Sequence, residues 1–388
     1  MANNNNTKNL NVPNLRFPEF KGEWRYSSLG RECDILCGYP FDGQAILEKS
    51  GNVKLLRGIN ITEGEIRHSD ELDRYYSGDI LKLKKYILCE GDLVLSMDGS
   101  KVGRNSAILT NLEDGAYLVQ RICRIRSQKH DVKYIFQHIN NSRFHQYVDS
   151  VKTASAIPHI SQSDIQNYII PFPPTHEEQI KITNLLSLLD EHIATQSKII
   201  EKYESLIKGI RYYILKESTH YNYLGNLCNI IKGQQVNLDN LLKHGKYYVM
   251  NGGIQPSGYY NSYNTDAGTI SISEGGNSCG YVQYNKENFW SGGHCYTLQN
   301  IKGELTEKYL YHYLKSNEKM IMALRVGSGL PNIQKRDLMS LRIPIPAKEN
   351  QKKISCLLDS IEDKISVETN VLKYAIKQKS YLLRQMFI

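Results

Sequence analysis

The chain has 388 residues, of which 40% are hydrophobic and 23% charged, and it carries a net charge of +8 at a pI near 8.8. That length predicts two or three domains with cores of their own. No stretch reaches the ~20 apolar residues of a membrane span, and the opening MANNNNTKNLNVPN lacks the regions of a secretory signal, so a cytoplasmic protein with no membrane partner is expected. The charge is spread, +2 over residues 1–170, −1 over 171–215, +4 over 216–346 and +3 over 347–388, which permits a polyanion partner without demanding one. Of the eight cysteines only Cys33 and Cys37 lie close together, with no second pair or His pair to complete a zinc site, so reduced thiols and no metal are expected.

Residues 1–14, Asn-rich and polar, predict a disordered lead. Residues 15–172 form the first globule, with β-type runs such as ILKLKKYILC, DLVLSM and YLVQRICRIR between turn signals, and a closing helix that contains KYIFQHI at 133–139. Residues 173–216 carry Ile182, Leu186, Leu189, Ile193, Gln196, Ile200, Tyr203, Ile207, Ile210 and Ile214 at alternating steps of four and three. A second globule, 217–346, brings GTISIS, CGYVQY and KYLYHYL at 308–314. Residues 347–388 repeat the 4-3 pattern with Ile354, Leu358, Ile361, Ile365, Glu368, Leu372, Ala375, Lys379, Leu382 and Met386.

Each pattern is a coiled-coil seam, and at about 1.5 Å per residue each helix runs over roughly 50 Å. Mutual antiparallel pairing is expected. It would bring Gln196 and Glu368 within about a turn of each other, where two polar residues can set register at a cost in stability.

The two halves are copies. At a constant offset Pro158 aligns with Pro331, Ile160 with Ile333, Asp164 with Asp337, Pro171 with Pro344 and Pro173 with Pro346; after a one-residue gap Gln179 pairs with Gln351 and Ile182 with Ile354. Upstream, Leu29-Gly30 answers Leu224-Gly225, and GDLVLSMDG at 91–99 answers GTISISEGG at 268–276. The fold class is therefore α+β: two homologous mixed α/β domains, each with an irregular sheet, joined by two long helices in an antiparallel coiled coil.

A variable globule, a Gly/Ala-Ser-Gly/Ala–hydrophobic–Pro–x–Ile loop, a P-x-P segment with an acidic or Gln-rich start and a long heptad helix, all given twice, resemble the specificity subunit of a type I restriction–modification enzyme from about residue 15 to the C-terminus. The resemblance implies two target recognition domains on a helical spacer, reading a bipartite double-stranded DNA target across an unread gap. It implies two methylation subunits that bind S-adenosylmethionine and two restriction subunits driven by ATP with Mg2+, and no cofactor in this chain. The first loop departs from the pattern, with Ala154-Ser155-Ala156 where the second has Gly327-Ser328-Gly329, and His159 where the second has Asn332. Alanine does not take positive φ cheaply, so the first loop is expected to be held differently.

Base edges are read by Arg or Lys on guanine and Asn or Gln on adenine, while other donors fix register on phosphates. In the first globule the glycine-flanked loop Gly99-Ser100-Lys101-Val102-Gly103-Arg104 supplies Ser100, Lys101 and Arg104, and Arg57, Asn60, Arg124, Arg126 and Ser155 are further candidates. In the second the candidates are Asn251, Asn277, Ser278, Ser328, Asn332, Gln334 and Lys335.

No catalytic set emerges. PFPP at 171–174 lacks the amide or carboxylate of an amino-methyltransferase motif, no G-x-x-x-x-G-K-[ST] loop exists, and the E-x-K of Glu362-Asp363-Lys364 falls on a heptad helix, where charges normally flank a seam. Asp98, Glu274 and His294 sit near glycine-rich turns without a nucleophile–base arrangement. A non-catalytic subunit is expected; the alternatives are a two-headed adaptor that does not bind DNA and an enzyme whose residues escape these patterns.

Overall fold

A computed structural model describes residues 11–214, 220–327, 329 and 331–387. Two compact units result, one formed by the chain up to Ala194 together with the segment from Lys373 onward, the other by Thr195–Leu372. Residues 1–10 of the expected lead lie outside the described residues; from residue 11 the chain is placed, with the Trp24 N–H donating to the Asn11 carbonyl at 2.7 Å.

In the first unit the strands Asp34–Cys37, Ile122–Arg126, Leu93–Ser96 and Ser106–Ile108 form an antiparallel four-stranded sheet in that order. The irregular single sheet expected is in fact two. A second four-stranded sheet, of Ile46–Leu47, Arg74–Tyr76, Val53–Leu56 and Tyr117–Leu118, closes with a parallel pair. ILKLKKYILC forms no strand: Lys84–Tyr86 is a 3-10 turn that buries Leu83 and Leu88. A two-stranded ribbon pairs Arg25–Ser28 with Ile169–Phe172, so the two ends of the globule that precedes the first long helix lie side by side.

The second unit repeats the plan. Asn229–Lys232, Cys295–Gln299, Thr269–Ser273 and Val282–Asn285 make the antiparallel sheet. Tyr221–Tyr223 pairs with Arg342–Pro344 in the matching ribbon at the two ends of the second globule. Its subsidiary sheet is smaller, with the three strands Gly258–Tyr260, Tyr247–Met250 and Trp290–Ser291.

Two helices of 39 residues, His176–Ile214 and Lys348–Met386, carry the seams. Every seam position whose side chain is described is buried or half-buried, whereas Leu188, Leu206, Leu357 and Val367 off the seam are exposed. In the first unit Ile182 and Leu186 share a core with Trp24, Tyr134, Phe172 and Met386. In the second, Ile207, Ile354, Leu358 and Ile361 join the core of Leu224, Ile270 and Tyr309. Within the second unit the Gln196 amide donates to the Glu368 carbonyl at 3.3 Å and also meets its carboxylate, while Arg211 pairs with Glu362 at 2.7 Å. One residue number rises as its partner falls, so these segments run antiparallel.

The glutamine of the repeat is a joint. Gln351, fully buried, accepts from the Thr306 N–H at 2.8 Å and donates to the Glu304 and Pro346 carbonyls, each at 2.9 Å. Thr306 is the N-cap of the helix Glu307–Ser316. Gln179 does the same in the first unit, accepting at 3.2 Å from the N–H of Asp131, the N-cap of Val132–Ile139. An otherwise orphaned helix-end donor is thereby satisfied from the long helix, which fixes one element against the other.

Candidate nucleic-acid interface

The strand Leu93–Ser96 is buried along its whole length and delivers the chain to Met97-Asp98-Gly99 at the edge of the sheet. Gly99 takes φ 88° and donates its N–H to the Pro158 carbonyl at 3.0 Å, the Ile160 N–H donates to the Met97 carbonyl at 2.9 Å, and Asp98 and His159 bridge. Buried Val102 and Ile160 pin the two loops from below, so the polar residues between them face outward. Ser100, Lys101 and Ser155 are exposed there. The Ser155 hydroxyl donates to the Ile157 carbonyl at 2.6 Å, and the Thr153 N–H to the His159 carbonyl at 3.0 Å.

The second unit builds the same frame from the other copy. Gly276, at φ 74°, donates to the Pro331 carbonyl at 3.0 Å, the Ile333 N–H donates to the Glu274 carbonyl at 2.8 Å, and Gly275 bridges Asn332. Asn277, Asn332, Gln334 and Lys335 are exposed and Ser278 half-buried; the Gln334 amide donates to Asn332 Oδ1 at 3.0 Å. Asn251 joins this face by accepting from the His294 N–H at 3.1 Å, beside Gly252, whose carbonyl accepts from the Ser273 hydroxyl. Ser328 lies outside the described residues. The two loops do differ at their start: Gly327 adopts φ 103°, while Ala154 is not among the residues at positive φ.

Other candidates are held within the fold by their own contacts, although the Nε of Arg57 and of Arg124 is buried without a partner. Asn60 is 1% exposed, and its amide donates to the Arg67 carbonyl and Asp73 while accepting from the Arg57 N–H. Arg124, 5% exposed, is held by Asp34 and the Lys85 carbonyl. Arg126 forms a fork with buried Asp92 at 2.5 and 2.6 Å, a bond that raises the pKa of its guanidinium. Arg57 donates to the Leu72 carbonyl at 2.8 Å, and its burial lowers its pKa. Lys101 and Arg104 differ: their ion pairs with Glu63 at 2.9 Å and Asp149 at 2.7 Å lie at the surface, where such pairs contribute little and exchange readily for a phosphate.

Arg121 escaped the residue-by-residue reading. Its guanidinium is 65% exposed on the loop face and meets Asp98 Oδ2 at 3.1 Å. The repeat contained the signal, since the offset that aligns Pro158 with Pro331 carries Arg121 onto His294, another exposed basic residue beside an acid of the loop, Glu274 at 3.6 Å.

The E-x-K residues are spent on flanking pairs: Glu362 with Arg211, Asp363 with Lys286 and Lys364 with Glu368. Among the described residues one group, His312, Asp359 and Glu362, has metal-type spacing. Lys308 at 3.1 Å from Asp359 and Arg211 at 2.7 Å from Glu362 already neutralise its carboxylates, so it fastens the helix Glu307–Ser316 to the long helices. Among the described residues no helix is long and apolar enough to cross a membrane.

Residues 21–205 and 220–378, which carry the two loop frames and most of the two long helices, match the type I restriction modification DNA specificity domain. The chain belongs to that family. It is 33% identical over 179 residues to a provisionally named type I specificity subunit of Mycoplasma pneumoniae, a match covering 45% of this chain and 48% of that protein. It is 36% identical over 130 residues to one from Mycoplasma genitalium, covering 33% and 34%. In these matches the chain spans about half or less of its relatives' length. The crystal structure of a type I restriction–modification system S subunit from M. genitalium shares the fold over 97% of this chain and 99% of that one, with a TM-score of 0.73 at 18% identity.

Proposed function

We propose that the chain is the DNA-reading specificity subunit of a type I restriction–modification complex, non-catalytic itself, with one head at 15–172 and the other at 217–346. The observation that carries this reading is the loop frame built twice, Gly99 on Pro158 and Gly276 on Pro331, each presenting exposed polar side chains from a rigid base. Two such heads suit a two-part duplex target, and the helices at 173–216 and 347–388 suit a spacer across an unread gap. Lys101, Arg104 and Lys335 would take phosphates, making affinity strongly salt-dependent; Ser100, Ser155, Asn251, Asn277, Ser278, Asn332 and Gln334 would contribute discrimination. Two methylation subunits holding S-adenosylmethionine and two restriction subunits using ATP and Mg2+ would supply the chemistry, in the cytoplasm. Adenine-methylation mapping in cells expressing the chain with and without its methylating partner tests this. A two-part motif that needs both, and that changes in one half when 217–346 is replaced, is expected; a stable complex that writes no motif would overturn the reading.

A further inference from the structure

The contacts of the loop frame occur twice, but the side chains that leave it differ between copies. Arg121 and His294 each stand immediately before the inner strand, Ile122–Arg126 or Cys295–Gln299. Both lend the frame a carbonyl: the Met97 N–H donates to Arg121 at 2.8 Å and the Glu274 N–H to His294 at 2.9 Å. Their side chains are 65% and 62% exposed, and each faces an acid of the loop, Asp98 at 3.1 Å or Glu274 at 3.6 Å. The backbone support is therefore repeated while the side chains are not, since Asp98 stands where the second copy has Gly275 and Glu274 where the first has Met97, as expected of a position that reads different sequences on a common support.

Arg121 has two further marks. It sits at φ 70°, a left-handed conformation that a residue with a Cβ rarely adopts. Such strain persists where the surroundings over-determine it, and it concentrates at binding sites. Arg121 also borders a cleft of about 390 Å³ shared with Met97, Asp98, Ile157 and His159.

We infer that Arg121 reads a guanine in the half-site faced by the first unit, with Asp98 as its positioning residue; the assignment rests on the DNA-reading function above. A guanidinium presents parallel N–H donors that match guanine O6 and N7. Asp98 engages Nη1 alone and leaves the remaining donors available. An exposed pair of this kind holds the aim without competing strongly with a base. The carboxylate also repels a phosphate at the same spot, which favours the base edge over the backbone.

The test selects duplexes from a library of randomised sequence with the full chain, unaltered and as Arg121→Gly and Asp98→Asn. Glycine is comfortable at φ 70°, so Arg121→Gly keeps the fold, which thermal unfolding verifies. The unaltered chain should enrich a two-part motif, and Arg121→Gly should lose guanine preference at one position in one half by about 5- to 150-fold, leaving the other half unchanged. Asp98→Asn should weaken discrimination at that same position. Uniform weakening by Arg121→Gly with the motif intact overturns the assignment. No motif from the unaltered chain overturns the DNA-reading function, and the assignment with it.

Discussion

The backbone N–H of Gly99 donates to the carbonyl of Pro158 at 3.0 Å, and this bond ties the turn after an inner strand to the loop that leads into the long helix. Its copy, Gly276 to Pro331, has the same length. The duplicated proline-studded segment is therefore half of a two-loop clasp: it braces the turn, and its own far end, through Pro171 or Pro344, is fixed in the ribbon that joins the two ends of the globule. A rigid base of this kind lets a few exposed side chains be aimed without ordering them at the moment of binding.

The clasp has a tight point at Gly103 and its copy Gly280. Both hold positive φ, at 71° and 89°, and both return the turn to the strand, through bonds to Ser96 at 3.0 Å and Ser273 at 2.8 Å. A Cβ on Gly103 would stand 2.6 Å from Val148 Cγ2, whereas one on Gly99 meets nothing within 4 Å. Gly99→Ala should therefore cost only the backbone term, about 1–2 kcal/mol, and Gly103→Ala that term plus about 1–3 kcal/mol of overpacking. Thermal unfolding of both variants checks the order; equal losses would contradict the close approach to Val148.

Gln351 allows a test of the joint. Truncation to alanine leaves the Thr306 N–H and the Glu304 and Pro346 carbonyls without their partner in a buried place. At about 1–3 kcal/mol for a buried group left unsatisfied, Gln351→Ala should lower stability by roughly 3 kcal/mol or more. Gln351→Glu should be no better, since a carboxylate would face two carbonyls. Unfolding midpoints for the two variants decide; a glutamate variant close to the parent would mean that the amide's two donor bonds contribute little.

Much of this was legible in the sequence because it is one-dimensional information. A 4-3 spacing such as Ile182, Leu186, Leu189 specifies a helix face without reference to the rest of the chain, and a constant offset exposes a duplication. What failed was anything that depends on which faces are covered. The alternation in Ile122–Arg126 puts Arg124 on the face opposite Ile125, but residues around Lys85 cover that face too, and the arginine is buried. ILKLKKYILC has strand-type composition, yet Leu83 and Leu88 find their burial through a 3-10 turn. Arg121 was hidden because its significance lies in contacts with Asp98 and Met97, distant in sequence.

Gln196 and Glu368 sit within the seam of the second unit, with Gln196 only 5% exposed. Gln196→Leu removes the donor and leaves the Glu368 carboxylate against an apolar neighbour, so it should destabilise by about 1–3 kcal/mol. Changing both residues to leucine should recover that loss or exceed it, because apolar packing commonly replaces a buried polar pair at no net cost. A double-mutant cycle on unfolding midpoints reads the coupling; a double variant no more stable than Gln196→Leu alone would show that the pair is not a mutual contact.

His138 and His312 make the fold acid-labile. Burial, with Arg143 adding to it, holds His138 down at about 3, and burial, opposed by the Asp359 bond, holds His312 at about 4. Both rings are therefore neutral when folded and return to about 6.5 when the chain unfolds. Between those values the unfolded state binds protons that the folded state does not, so stability is complete above about pH 6.5 and falls as the pH drops toward 4. The His138 ring stacks on Phe387 with centroids 4.1 Å apart, and its Nε2 has no hydrogen-bond partner, so phenylalanine can take its place in the same stack. Thermal midpoints from about pH 8 to pH 4 should fall less steeply in His138→Phe than in the parent, with His312 supplying part of the slope that remains. An unchanged slope would mean that the His138 ring reaches solvent.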